Sequence, residues 1–410
     1  MAGMELGFTA GIAAIVLLGV LGQLLGHAVR VPSIIVLLAL GLLAGPVLGW
    51  VDPDALLGDA LFPLVSMAVG LLLFEESLKL DFSRLHGGAR RPVLGLVTTG
   101  AIVTGICTTL LAQWVFGLPF SRAAVIGAIL IVSGPTVVGP LLAVIRPKQP
   151  LESVLAFEGI FIDPIGATVA LSMVHLALHK SGTGLGMTAL VGIVTGIVCA
   201  AAYLLIVRSG RVPPATHVAL GVAVALTAFA VAESVGEESG LWATTALGVA
   251  LANQPWVRLD ALHEFGSHVG MLLIGSLFIV LAARIDLDAL VRFLPATLVL
   301  LAFLVLGVRP LAAGLATMRT ALSRPERAMV AWMAPRGIVA ASTASVFALQ
   351  FDDAGEPFPE LVPVVFGVVL LTAIVYGSTG PLVARLLGVR ATEVEPIDED
   401  GVPRTISGRS

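Results

Sequence analysis

The stretch "FEGIFIDPIGATVA", residues 157–170, sets two carboxylates and a proline into a run that is otherwise apolar. Five residues turn a helix by about 500°, so Glu158 and Asp163 point roughly 140° apart and are poorly placed to share one proton. Asp163 shares its face with Gly159, Gly166, Ala167 and Ala170, small residues that let a neighbouring backbone approach. Asp163 therefore looks into a tight polar site, and Glu158 toward a different helix. A buried glutamate needs a cation, and two arginines lie deep in apolar runs: Arg309 in "VLGVRPLAAG" and Arg336 in "AWMAPRGIVAAS". A structural ion pair is the reading for Glu158, ahead of a transported-ion ligand. Glu75 and Glu76, in "LLLFEESLKLD", lie near the end of their run and read by themselves as a solvated helix end.

Proline placement adds loose carbonyls to these charges. A proline inside a helix leaves the carbonyl four residues earlier without its hydrogen bond. Pro164 does this to Ile160, and in "LIVSGPTVVGPLL" Pro135 does it to Ile131 and Pro140 to Thr136. Pro335, in "APRG", repeats the theme at Ala331. Two interrupted apolar segments that both carry polar groups are the expected mark of an inverted-repeat transporter.

The elements that must hold these residues are membrane helices. Of the 410 residues, 57% are hydrophobic and 12% charged, where a soluble domain averages about 25% charged. Apolar stretches near 20 residues recur along the chain, each long enough to span a bilayer. The sequence predicts an all-α polytopic membrane protein with about thirteen spans, at 7–26, 31–50, 59–78, 92–118, 121–145, 152–179, 184–207, 215–235, 239–253, 264–283, 291–318, 326–350 and 360–388. One alternating set of connecting loops holds fifteen Lys and Arg residues and the other holds four. That asymmetry predicts an N-terminus outside and a C-terminus in the cytoplasm. Residues 1–390 read as one transmembrane domain, and the acidic tail 391–410 as a short disordered cytoplasmic segment.

Other chemistries find little support. Cys107 and Cys199 both lie in apolar runs and read as packing residues. The histidines form no HExxH or His/Cys cluster, so no catalytic metal is expected, and His175, His179 and His217 fall near span ends. There is no Walker-type loop, and "GTGLG" at 182–186 has no strand before it and reads as a flexible turn. With no place for ATP, an ion gradient must supply the energy. An aspartyl intramembrane hydrolase would need a second mid-depth aspartate, and no span offers one. Nothing suggests nucleic-acid binding; the surroundings are membrane lipid.

Taken in order, these pieces resemble the NhaP/NHE branch of the cation:proton antiporters. The matching segments are "LLLFEESLKLD", "SGPTVVGPLL", "FEGIFIDPIGA", "ESGLWATTALGVALAN", "LLIGSLFIVLAARID", "GVRPLA" and "APRGIVAAS". The resemblance implies thirteen helices, two crossed broken helices in a mobile core, and a homodimer. It makes Asp163 the residue that binds proton and cation, the metal being the transported Na+. Thr136 and Glu75 become further ion-binding residues, Glu158 and Arg309 a core salt bridge, and Arg336 the base that balances helix-end charges. Three positions depart from the family pattern. Ile162 stands where an Asn usually precedes the aspartate, Val137-Val138 where Asp-Pro is usual, and Gly159 where a Ser is often found. The function expected is exchange of Na+, Li+ or K+ for H+ without enzyme chemistry or a cofactor, electroneutral because one carboxylate serves both ions. A cation channel or an organic-anion symporter on the same broken-helix architecture is the alternative.

Overall fold

The computed structural model describes residues 7–29, 31–85, 88–180 and 184–391. The expectations for Arg30, for the first two residues of "GTGLG" and for the tail from 392 onward lie outside the described residues. Helices account for nearly all of the rest. They are α1 Phe8–Val29, α2 Ser33–Val47, α3 Pro53–Leu78, α4 Arg90–Phe116, α5 Phe120–Ile129, α6 Pro135–Ile145, α7 Leu151–Ala177 and α8 Leu185–Arg208. There follow α9 Pro214–Val235, α10 Ser239–Ala252, α11 Asp260–Ala283, α12 Leu287–Thr317, α13 Arg324–Trp332, α14 Ile338–Asp353 and α15 Leu361–Leu386. Among the described residues, nine of these are long and apolar enough to cross a membrane. Where no water can solvate the backbone, a helix is how a single segment satisfies its own N–H and C=O groups.

Polar residues at the ends set the boundaries. Asp52 accepts hydrogen bonds from the Asp54 and Ala55 amides to start α3, and Asp286 does the same for Asp288 and Ala289 at the start of α12. Ser323 and Glu326 form a reciprocal capping box at α13. Helix α7 is the hub: 78% of its most apolar window is buried, against 22% for α1. The helix that carries Glu158 and Asp163 is thus enclosed by protein, whereas α1 turns most of its surface outward.

Two expected spans are each divided in two. The 121–145 run becomes α5 and α6, separated by an extended segment, and the 326–350 run becomes α13 and α14, separated at 333–337. Pro135 does not kink a continuous helix; it opens α6 in the first turn, where its missing N–H costs no hydrogen bond. Pro164 behaves differently, since α7 runs through it without a break. Trp242 of α10 donates to the Thr168 hydroxyl at 2.8 Å, and that hydroxyl donates to the Pro164 carbonyl at 2.7 Å, tying α10 to the hub.

The two breaks cross in contact. A Cβ placed on Gly134 would lie 2.4 Å from the Gly337 Cα, and one on Gly337 would lie 2.5 Å from the Gly134 Cα. Only glycine at both positions allows that approach. The second break is also fastened to α15, because the Arg336 amide donates to Thr372 Oγ1 at 3.2 Å.

Candidate functional site: a buried aspartate at crossed helix breaks

Asp163 is fully buried, and neither carboxylate oxygen has a hydrogen-bond partner among the described residues. Its neighbourhood explains how the chain closes around it. A Cβ on Gly166, one turn on, would lie 2.4 Å from Val132 Cγ2, so the small-residue face of α7 seats the first helix break. Thr136, in the first turn of α6, is 5% exposed, and its hydroxyl also lacks a partner among the described residues. Buried polar atoms are rarely left unpaired, and such groups invite an explanation in a proton or ion that visits them.

Arg336 lies within electrostatic reach of Asp163 but makes no hydrogen bond to it. Its guanidinium instead donates to the Ile131 and Val132 carbonyls, at 3.2 and 2.9 Å. These carbonyls follow the C-terminus of α5, where a helix carries partial negative charge, so Arg336 neutralises that end. The Ile131 carbonyl, expected to be left without its helical hydrogen bond, thus faces the fixed positive charge of Arg336.

Glu158 and Arg309 meet as a bidentate pair, with Arg309 Nη1 to Glu158 Oε1 at 2.5 Å and Nη2 to Oε2 at 2.9 Å. Arg309 Nε donates to the Val330 carbonyl at 2.9 Å, so the pair links α7, α12 and α13. The fork geometry gives each charged group a partner where water is excluded. The opposed directions of the two acids on α7 are what let one pair and the other stand alone.

The solvated-end reading of Glu75 does not hold. It is 5% exposed, and Lys79 Nζ lies 2.7 Å from its Oε1 and 2.9 Å from Glu76 Oε1. Burial works against the Lys79 charge, yet Glu76 and Glu75 together hold its pKa above the ordinary lysine value. Glycines of α11 make room for Glu75, since a Cβ on Gly270 would fall 2.6 Å from its Oε2. The spacing of Lys79 four residues after Glu75 is the sequence signal for this pair.

A wide cavity of about 970 Å³ leads to this region, with Glu75, Lys79, Thr136, Glu152, Ala156 and Ile160 on its wall. Along α7 the wall ends at Ile160, one turn before Asp163. Ile162 points elsewhere: with Ala101 and Ile131 it forms a small buried apolar cluster. Among the described residues no group of three His, Cys, Asp or Glu side chains is arranged to hold a metal ion.

Residues 12–386 match the family described as sodium/hydrogen exchanger, transmembrane. The chain belongs to that family. Among similar members, the K(+)/H(+) antiporter NhaP of Alkalimonas amylolytica is 24% identical over 389 residues, which is 92% of this chain and 66% of that protein. An uncharacterized Na(+)/H(+) exchanger of Mycobacterium bovis is 28% identical, covering 91% of this chain and 73% of the relative. The chain thus spans about two thirds of the length of the first of these exchangers. Among solved structures, the sodium proton antiporter MjNhaP1 from Methanocaldococcus jannaschii superposes with a TM-score of 0.80 at 21% identity. That match covers 93% of this chain and 99% of the other, and it shows a shared fold.

Proposed function

We propose that the chain is a secondary antiporter that exchanges a monovalent cation for a proton, with Asp163 binding the two alternately. The observation that carries this is a fully buried carboxylate with no hydrogen-bond partner among the described residues, beside two crossed helix breaks and one turn beyond the wall of a wide cavity. An ionised carboxylate in that position needs either a proton or a cation, and the two compete for the same oxygens. Thr136 supplies a second unpaired oxygen, and Glu75 on the cavity wall attracts the arriving cation. Hard cations such as Ca²⁺ and Mg²⁺ favour oxygen ligands of this kind, and the alkali cations are hard in the same sense. The Glu158–Arg309 pair holds the core and does not exchange ions.

One carboxylate serving both ions gives one cation per proton and electroneutral transport. Each interrupted pair, α5–α6 and α13–α14, counts as one crossing, for thirteen in all. The lysine and arginine asymmetry supports an orientation with the wide cavity facing the cytoplasm and the N-terminus outside. Two crossed breaks fit an inverted repeat, and the functional unit is a homodimer. Relatives carry both Na+ and K+ in their names, so Na+, Li+ and K+ are all candidates.

The test is cation-driven proton flux in proteoliposomes, followed by a pH-sensitive dye under Na+, Li+ and K+ pulses. Asp163→Asn should abolish exchange with all three cations, and flux that survives the substitution overturns the assignment. Current without proton movement in the unsubstituted protein would point to a channel instead.

A further inference from the structure

A second, narrower cavity of about 80 Å³ lies at the other end of the same elements. Two helices, α7 and α3, line both cavities. Along α7, Ile160 lines the wide one and Leu171 the narrow one, with Asp163 between them. Along α3, Glu75 lines the wide one, and Ser66 and Val69 the narrow one. Of the two helices that start from the breaks, α6 lines only the wide cavity and α14 only the narrow one. Leu171 is eight residues beyond Asp163, about 12 Å along the helix. The narrow cavity is therefore on the opposite side of Asp163 from the wide one.

Its wall is unusually polar for this protein. Glu233, Glu237 and Glu238 come from the end of α9 and the turn into α10, facing Ser342, Thr343 and Gln350 of α14. Two of the acids are already engaged. Glu233 accepts hydrogen bonds from the Glu238 and Gly240 amides, both at 2.9 Å, and Glu237 lies 3.4 Å from His175 Nε2. Glu238 has no side-chain partner among the described residues. Across the cavity, Thr343 is 4% exposed, and its hydroxyl makes no hydrogen bond among the described residues. A carboxylate, an unpaired buried hydroxyl and an amide thus line one small space.

We propose that this narrow cavity is a second monovalent-cation site, a vestibule formed by Glu238, Thr343 and Gln350 through which the cation passes on the side of Asp163 opposite the wide cavity. The inference rests on the antiport reading and extends it to the other end of the path. The space is large enough for one cation with part of its water shell, a liquid water taking about 30 Å³. The acids do not converge into a three-ligand metal cluster, so the fit is to a weakly held, exchanging ion and not to a resident divalent one. A cleft lined by one sign of charge concentrates the opposite ion at its mouth.

Burial, with Glu233 and Glu237 adding to it, pushes the Glu238 carboxyl up to about 8. The titratable groups around it are Glu233 of α9, Glu237 in the turn and, through Glu237, His175 of α7. Helices α3 and α14 bring only Ser66, Ser342, Thr343 and Gln350 as polar neighbours. An acid with a raised pKa is neutral below that value and charged above it, so the vestibule should attract cations at alkaline pH and lose that attraction in acid.

The experiment uses the full chain in proteoliposomes of one orientation, with Na+ and K+ applied separately at each face. Half-saturating concentrations are compared between faces at pH 6 and pH 9. For Glu238→Gln, the half-saturating concentration at the narrow-cavity face, relative to the other face, should rise roughly 3- to 10-fold at pH 9. At pH 6, where the native carboxyl is already neutral, the variant and the native protein should coincide. No change at pH 9, or an equal change at both faces, overturns the proposal. If Glu238→Gln does not purify as a monodisperse protein, Thr343→Val is carried through the same sided comparison at pH 9. A rise confined to the narrow-cavity face then supports the vestibule, and no change or an equal change at both faces overturns it. An Asp163→Asn protein that still exchanges ions would sink the antiport reading itself, whatever Glu238 does.

Discussion

Glu158 and Asp163 show how two identical functional groups on one helix come to opposite surroundings. Glu158 is held by a bidentate arginine, and Asp163 has no hydrogen-bond partner among the described residues. Removing one member of a buried pair leaves the other charge uncompensated, at a cost of roughly 3–5 kcal/mol. Glu158→Gln should therefore lower the thermal unfolding midpoint of the detergent-solubilised protein, and replacing Arg309 by Met in the same chain should recover part of the loss. A midpoint unaffected by Glu158→Gln would show that the pair does not hold the core. Ile162 makes the complementary point. It packs with Ala101 and Ile131, so Ile162→Asn would bury an amide in an apolar cluster, costing about 1–3 kcal/mol if it stays unpaired. The expected result is a less stable protein, read by the same melting assay. The acids and arginines are legible in the sequence because a charge in an apolar run stands out. The Glu75–Lys79 pair and the acids beside α10 are harder to read, because at the end of a run a charge looks solvated until the neighbouring helices are known.

At the scale of the element, the site depends on two helices being broken at the same place in space. Contact between Gly134 and Gly337 is a tight constraint on that crossing, since a side chain at either position first meets backbone and not a movable side chain. Gly134→Ala should separate the breaks and strongly reduce exchange in proteoliposomes while leaving helical circular dichroism intact. Gly314→Ala on α12, where an added Cβ meets nothing within 4 Å, is the control expected to exchange normally. Equal activity in the two variants would remove the crossing from the mechanism. The prolines mark both segments as broken, and the structure adds that Pro135 is the first residue of the second half-helix. A proline pattern gives the place of irregularity; whether the chain bends or starts again depends on what fills the gap, here the Arg336 guanidinium.

For the whole molecule, the wide and narrow cavities are the features on which the proposed ion path rests. They sit on either side of Asp163, with the wide one continuing to Lys79 and Arg146. Under the proposed orientation, a cysteine replacing the exposed Ser267 on the wide cavity wall should react with a membrane-impermeant maleimide in inside-out vesicles and not in right-side-out ones, once Cys107 and Cys199 are replaced. The reverse pattern would invert the topology. The end of the described chain closes on this same mouth. Arg390 donates to the Val144 and Ile145 carbonyls, each at 3.1 Å, and the Ala391 amide donates to the Arg146 carbonyl at 2.7 Å. The segment after α15 is thereby fastened to the end of α6, the half-helix that carries Thr136.

The sequence by itself determined the solvent, the helical class and the residues out of place in it, because each follows from local composition and from the cost of charge in an apolar run. It separated Glu158 from Asp163 through helix periodicity alone. The packed helices add that Arg336 bonds carbonyls and not Asp163, that the Ile131 carbonyl is already taken, and that two breaks more than 200 residues apart in number touch at glycines. Those are long-range pairings, set by how helices stack and not by what any one helix prefers. The narrow cavity belongs to the same category, because its acid and its hydroxyl come from different helices and become a site only when the fold places them face to face.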